Sequence, residues 1–214
     1  MRNLSPVCAV VLVSVLFAGC KSTYYAAWEK LGWEKRDILS SRVVEARDAQ
    51  QQAGEQFKTT LVRFKELTQF KGGDLEAMYN KLDSQYRTCE SRAVLVTDRI
   101  KAVKSVANDM FAEWKEELKQ YQSNDLRSKS QRKLDETQAR YGVVIAAMHK
   151  SESRMQPILG QFHDQVLFLK HNLDASAVSS LQGTSATIET DVNQLIAEMQ
   201  ASIDESNAFI GQLK

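Results

Sequence analysis

The sequence predicts an all-α fold, an elongated antiparallel helical bundle or coiled coil of about four long helices. Three observations carry that expectation. Apolar residues recur at alternating three- and four-residue steps along most of the chain, the spacing of one helix face. Proline is nearly absent: Pro6 lies near the start and Pro157 stands alone downstream. Short polar breaks separate the periodic segments, and short connections between long helices force neighbours to run antiparallel. Strand-type alternation never persists.

The first segment runs from about Trp28 to Phe70. Its inward series is Leu39, Val43, Ala46, Ala53, Phe57, Thr60, Phe64 and Leu67, interrupted by Gln50. Gly72-Gly73 ends it, and Asp74 is placed to cap the next helix. That second helix is the most regular. It reads Leu75, Tyr79, Leu82, Tyr86, Cys89, Ala93, Val96, Ile100, Val103, Ala107, Met110, Trp114 and Tyr121, broken only by Glu117. The series amounts to a rod about 70 Å long at 1.5 Å per residue.

Gln122 to Asp125 make the next break, with Ser123 or Asn124 as cap. The third helix turns Leu134, Thr137, Tyr141, Val144, Met148 and Met155 inward, and Pro157 is expected to kink it without ending the pattern. Leu159, Phe162, Val166, Leu169 and Leu173 continue the face. A further turn is expected over Asn172 to Ser176. The last helix shows Val178, Leu181, Ile188, Val192, Leu195, Met199, Ile203, Phe209 and Leu213. Asp109, Glu113, Glu116 and Glu117 are expected to face Arg127, Lys129, Arg132 and Lys133 across the second and third helices.

Ahead of the bundle lies a different kind of sequence. Met1, Arg2 and Asn3 precede an apolar run from Val7 to Phe17, followed by Ala18, Gly19 and Cys20. This is the layout of a secretory signal, and a cysteine directly after two small residues makes it a lipoprotein signal. Phe17 stands where the usual motif has leucine. The run is too short to span a ~30 Å hydrocarbon core comfortably. The expected organisation is a signal peptide over 1–19, a lipid-anchored spacer over 20–27 with Cys20 as the acylated residue, and the bundle over 28–214. Acyl chains contribute about 0.8 kcal/mol per buried methylene, so several of them hold a protein on a bilayer. The membrane is thus an expected partner, approached from the periplasmic side. Lys21 follows the cysteine, which by resemblance to enterobacterial lipoproteins favours the outer membrane over the inner. Tyr24, Tyr25, Trp28 and Trp33 are placed to sit at headgroup level, with Trp28 and Trp33 packing under the end of the bundle as the alternative.

All 27 acidic residues and 27 of the 28 basic ones lie downstream of residue 19, so the domain is near neutral and lacks the basic footprint of a nucleic-acid binder. Only Cys20 and Cys89 remain after cleavage, and an acylated Cys20 leaves no internal disulfide. Cys89 falls on the apolar seam and is read as buried.

Residues that carry chemistry are scarce. His149, His163 and His171 lie on one helix at separations of roughly 21 and 12 Å, too far apart to share a metal. His149 and Glu152 form one His-x-x-Glu, without the paired motifs of di-iron bundles. No phosphate-binding loop, nucleophile elbow or zinc-protease motif occurs. No catalytic residue, cofactor or metal is expected, and the protein is not read as an enzyme.

Several blocks carry a resemblance over nearly all of the expected mature chain. They are Tyr24-Tyr25, the stretch Glu29 to Leu39, the stretch Arg42 to Gln50, Gly72-Gly-Asp-Leu75, Glu113-Trp114 and the stretch Val166 to Ala175. In these the chain resembles a bacterial lipoprotein family catalogued as domain of unknown function family 2959. The resemblance implies a helical envelope protein and transfers no activity or catalytic residue. Within these blocks, Glu34, Lys35, Arg36 and Asp37, and Lys170, His171 and Asn172, are the candidate interaction clusters, with helix-end capping as the alternative for both. The expected role is a non-enzymatic structural or protein-interaction module of the cell envelope, whose partner is an envelope protein or a second copy. The alternative is a module holding lipid or other apolar cargo between helices, with Met110, Met148, Met155 and Met199 lining the groove.

Overall fold

A computed structural model describes residues 35–213. Four helices fill that range: α1 over Lys35–Thr68, α2 over Leu75–Leu118, α3 over Asn124–His171 and α4 over Ala175–Leu213. No strand occurs among the described residues. At 34, 44, 48 and 39 residues the helices differ in length; they reach about 50 to 70 Å at 1.5 Å per residue. Each packs on its sequence neighbours, and α4 closes the ring by packing on α1 as extensively as on α3. The product is an up-down-up-down four-helix bundle, as the periodicity requires.

The turns follow from local chemistry. Gly72 and Gly73 take φ of 144° and 114°, a region that side chains with a Cβ rarely enter, and they end the α1 path. Asp74 then caps α2 by accepting from the Ala77 N–H at 2.9 Å. Ser123 accepts from the Leu126 N–H at 3.3 Å to start α3. Asp174 does the same for α4, accepting from the Ala177 N–H at 2.8 Å. α3 runs as one helix through Pro157. Pro157 is exposed, so the carbonyl it leaves without a donor lies on the solvent side.

The core is one continuous column fed by all four helices. Phe57, Phe64 and Phe162 are completely buried, each contributing about 1.5–3 kcal/mol of transfer free energy. Phe64 and Phe162 meet edge to face, with centroids 6.2 Å apart. Cys89 is buried and free, as its place on the seam suggested.

Four expectations need correction. Tyr121 is 39% exposed, because α2 ends at Leu118 and Tyr121 falls in the turn. Leu118 takes the buried place beside Glu117 instead. Leu173 is likewise 39% exposed, beyond the end of α3. In α4, Ile203 is only half-buried, and the fully buried side chains there are Ser202 and Ser206. The acidic end of α2 takes other partners: Glu113 pairs with Lys35 of α1 at 2.6 Å and Glu116 with Lys119 at 2.6 Å, while Lys129 of α3 pairs with Asp125 at 2.7 Å. Partners three or four residues away on the same helix are already in reach, and α1 lies as close to α2 as α3 does.

Candidate functional site

The two candidate clusters sit at opposite ends of the bundle. Lys35, Arg36 and Asp37 form the first turn of α1, and Asp37 complements the positive end of the helix dipole there. Lys35 is drawn onto α2 by its 2.6 Å ion pair with Glu113. Glu34 and Cys20 lie outside the described residues. At the far end, Lys170 and His171 occupy the last turn of α3, where positive charge suits the helix C-terminus. Both are exposed. Asn172 is the C-cap: its backbone N–H donates to the Leu169 carbonyl at 3.2 Å, and its Nδ2 donates to the Phe168 carbonyl at 2.9 Å. The capping reading therefore accounts for Asn172, while Lys170 and His171 remain exposed beside Leu167 and Phe168, which are 48% and 41% exposed.

The other histidines are tied locally. His149 Nδ1 lies 2.7 Å from Glu152 Oε2 on the same helix. The His163 ring packs at 5.9 Å from Tyr86 and its Nδ1 lies 3.7 Å from Asp164. Among the described residues no group of three or more His, Cys, Asp or Glu side chains is placed to hold a metal ion. None of the described helices is long and apolar enough to cross a membrane.

The most organised polar site sits where Gln50 interrupts the apolar seam of α1. Gln50 is fully buried, and its Nε2 donates to Ser151 Oγ at 2.6 Å while its Oε1 accepts from Ser202 Oγ at 2.9 Å. Ser151 Oγ also donates to the Met148 carbonyl at 2.9 Å, and Ser206 Oγ donates to the Ser202 carbonyl at 2.7 Å. One amide thus pins α1, α3 and α4 at a single level. A slip of any of the three helices would strand buried polar atoms, so the node fixes register. The signal was available: Ser151 falls between Met148 and Met155, and Ser202 and Ser206 between Met199 and Phe209, at core spacing.

Burial also sets the acidity of side chains on the seam. It pushes the Cys89 thiol up to about 12, with the hydrogen bond to Thr60 opposing. Burial likewise raises the Tyr86 hydroxyl, reinforced by Glu90, and burial alone raises that of Tyr141. A thiol held neutral this strongly is a packing group and a poor nucleophile. Met110, Met148, Met155 and Met199 are 6%, 0%, 1% and 2% exposed and fill the column rather than a groove.

With the bundle geometry in place, the family comparison is decisive. The chain belongs to the family described as Protein of unknown function (DUF2959). Its match covers residues 24–213, the whole described bundle and the tyrosine pair before it. No curated protein matches the chain.

Proposed function

We propose that this protein is a membrane-anchored lipoprotein of the bacterial cell envelope that serves as a non-enzymatic structural or protein-interaction module on the periplasmic face, with the outer membrane favoured over the inner. The observation that carries the reading is the lipoprotein-type signal ending at Cys20, directly ahead of a long helical bundle. A rod of this length, tethered at one end by acyl chains, presents its sides and far end tens of ångströms from the bilayer. Lys170 and His171, exposed at that far end beside Leu167 and Phe168, are the polar cluster best placed to meet a partner.

The cargo-holding alternative has no observation in its favour, since the four methionines it would use are packed in the core.

The test is fractionation of cells producing the full chain, with and without Cys20→Ala. The expected result is wild-type protein in the membrane fraction, labelled by palmitate, and the variant released to the soluble fraction. Continued membrane residence of the variant would reject the acyl anchor.

A further inference from the structure

We propose that the turn joining α2 to α3 is a second membrane contact, which docks on an anionic phospholipid surface beside the acyl anchor. This deepens the membrane-anchored reading by giving the lipid headgroups a binding surface on the bundle, and it rests on that reading.

Topology puts this turn at the anchored end. Lys35, the first described residue of α1, pairs with Glu113 near the end of α2 at 2.6 Å. From Cys20 to Lys35 the chain can reach no more than about 55 Å even fully extended, so the end of the bundle that holds Lys35 stays near the bilayer. α4 stops at the same end, where Leu213 shares a small cleft with Lys133, Glu136, Thr137 and Arg140 of α3. From that level α3 runs on for about 15–20 Å to Asn124. Among the described residues the α2–α3 tip is therefore the outermost part of the anchored end. Trp114 Nε1 donates to Ser130 Oγ at 2.9 Å and ties the two helices together there, so the tip is presented as one body.

The chemistry of the tip suits lipid headgroups. Between residues 115 and 133 stand Lys115, Lys119, Arg127, Lys129, Arg132 and Lys133, all exposed, against Glu116, Glu117 and Asp125. Glu116 and Asp125 are engaged by Lys119 and Lys129 at 2.6 and 2.7 Å. With those pairs closed, only Glu117 stands against Lys115, Arg127, Arg132 and Lys133. At the far end the balance reverses: the turns over 69–76 and 170–176 hold Lys71 and Lys170 against Asp74, Glu76 and Asp174. A negative lipid surface thus attracts the anchored end and not the other, each basic side chain near the headgroups strengthening the contact about fivefold. Apolar groups complete the site. Leu126 is 52% exposed in the first turn of α3, and Tyr121 is 39% exposed just before it. A phenol ring prefers the headgroup level, and a leucine beside it enters the acyl boundary. Such a contact does not hold an unanchored chain, since lasting attachment takes two signals, so Cys20→Ala is still expected to release the protein.

The experiment places a nitroxide on the full lipidated chain in phosphatidylcholine vesicles, with and without phosphatidylglycerol, at Gln122→Cys or separately at Leu173→Cys. Cys89 is buried and stays unlabelled. In the anionic vesicles the label at 122 is expected at headgroup level, shielded from a water-soluble nickel chelate, while the label at 173 stays open to it. Without phosphatidylglycerol, or at high salt, the label at 122 should return to water. Lys115→Glu, Arg127→Glu and Arg132→Glu together should weaken the docked state at least about a hundredfold. Tyr121→Ser with Leu126→Ser should weaken it too. Circular dichroism should show the same melting for both variants, which separates docking from folding. A label at 122 open to the chelate in anionic vesicles, or one shielded whatever the lipid charge and despite the triple reversal, would overturn the proposal. Protein that floats with the vesicles while its label at 122 stays in water rejects the tip and keeps the anchor, whereas protein that carries no acyl chain and stays out of the vesicles overturns both.

Discussion

Across the α1–α2 interface, polar side chains reach from helix to helix along the rod. Arg99 meets Glu45 at 2.7 Å, Arg92 meets Gln52 at 2.8 Å, and Gln56 meets Gln85 at 2.8 Å. Across α3–α4 the corresponding links are Arg154 to Glu198 at 2.6 Å and Gln161 to Asp191 at 2.8 Å. The outer faces diverge further. Outward positions of α2 carry Arg87 and Lys101, each paired with a carboxylate on its own helix. The outward strip of α3 presents Ala146, Pro157 and Phe168 in the same kind of place, and the charges of α4 are all acidic: Glu189, Asp191, Glu198, Asp204 and Glu205. Both hairpins nonetheless leave apolar side chains outside: Val62 and Val94, 50% and 54% exposed, in the first, and Val143, Leu167 and Phe168, 52%, 48% and 41% exposed, in the second; apolar side chains scattered singly on a surface are ordinary. The difference that remains is one of charge: α1, α2 and α3 mix both signs along their length, whereas α4 carries acidic side chains alone.

The largest expected effect tests how rigid the first hairpin must be. Val96 is fully buried in the middle of α2. Val96→Pro removes a helix hydrogen bond and drives the ring against the preceding turn, at a cost of about 3 kcal/mol or more before the lost packing is added. The domain should lose its cooperative thermal transition by circular dichroism. Pro157, by contrast, is accommodated in α3 because it lies on the outward side. A normal melt for the Val96 variant would mean that α2 is not the central helix it looks to be.

Next in size is a pH effect confined to the same hairpin. Cys89 ionises near 9.0 when unperturbed and is pushed up to about 12 by burial. Below pH 9 the thiol is neutral in both states and its contribution to stability is full. Between about 9 and 12 only the unfolded chain releases the proton, so stability falls as pH rises, by up to about 4 kcal/mol over the window. Cys89→Ala should flatten that alkaline slope in urea titrations. An unchanged slope would place the sensitivity elsewhere on the seam.

The third prediction concerns the node that joins the hairpins. Gln50→Ala leaves the Ser202 hydroxyl without its acceptor and opens a small void. The expected loss is about 2 kcal/mol in the urea midpoint. Gln50→Leu combined with Ser151→Ala and Ser202→Ala should recover most of it, because an apolar layer has no polar atom to strand. If the triple variant were as unstable as the single one, the node would be contributing packing and not register.

This node also marks where sequence reading ran out. The seams of α1 and α2 were legible because Leu39 to Leu67 and Leu82 to Met110 are apolar or small at almost every inward position, and the turns were legible because Gly72-Gly73 and Asp74 demand one geometry. Gln50 and the three serines read as gaps, since a polar residue on a seam declares itself structural only when its partners are known, and those lie about 100 and 150 positions away. Periodicity alone also misjudged Ile203 against Ser202, neighbours one step apart on a four-helix core whose inward arc is wider than a coiled-coil stripe. Of the candidate clusters, Asn172 resolved into a cap.

The smallest expected effect on stability gives the sharpest comparison of the two surfaces. Arg87 is 73% exposed and pairs with Asp83 at 2.9 Å on its own helix; such exposed pairs are screened by solvent and contribute little. Phe168, at 41% exposure, is also outside the core, and Phe168→Ser should move stability by a similarly small amount. By melting temperature the two variants should therefore be hard to distinguish. A loss larger than about 1 kcal/mol for Phe168→Ser, with Arg87→Ala unchanged, would mean that the Phe168 ring is held as part of the core despite its exposure.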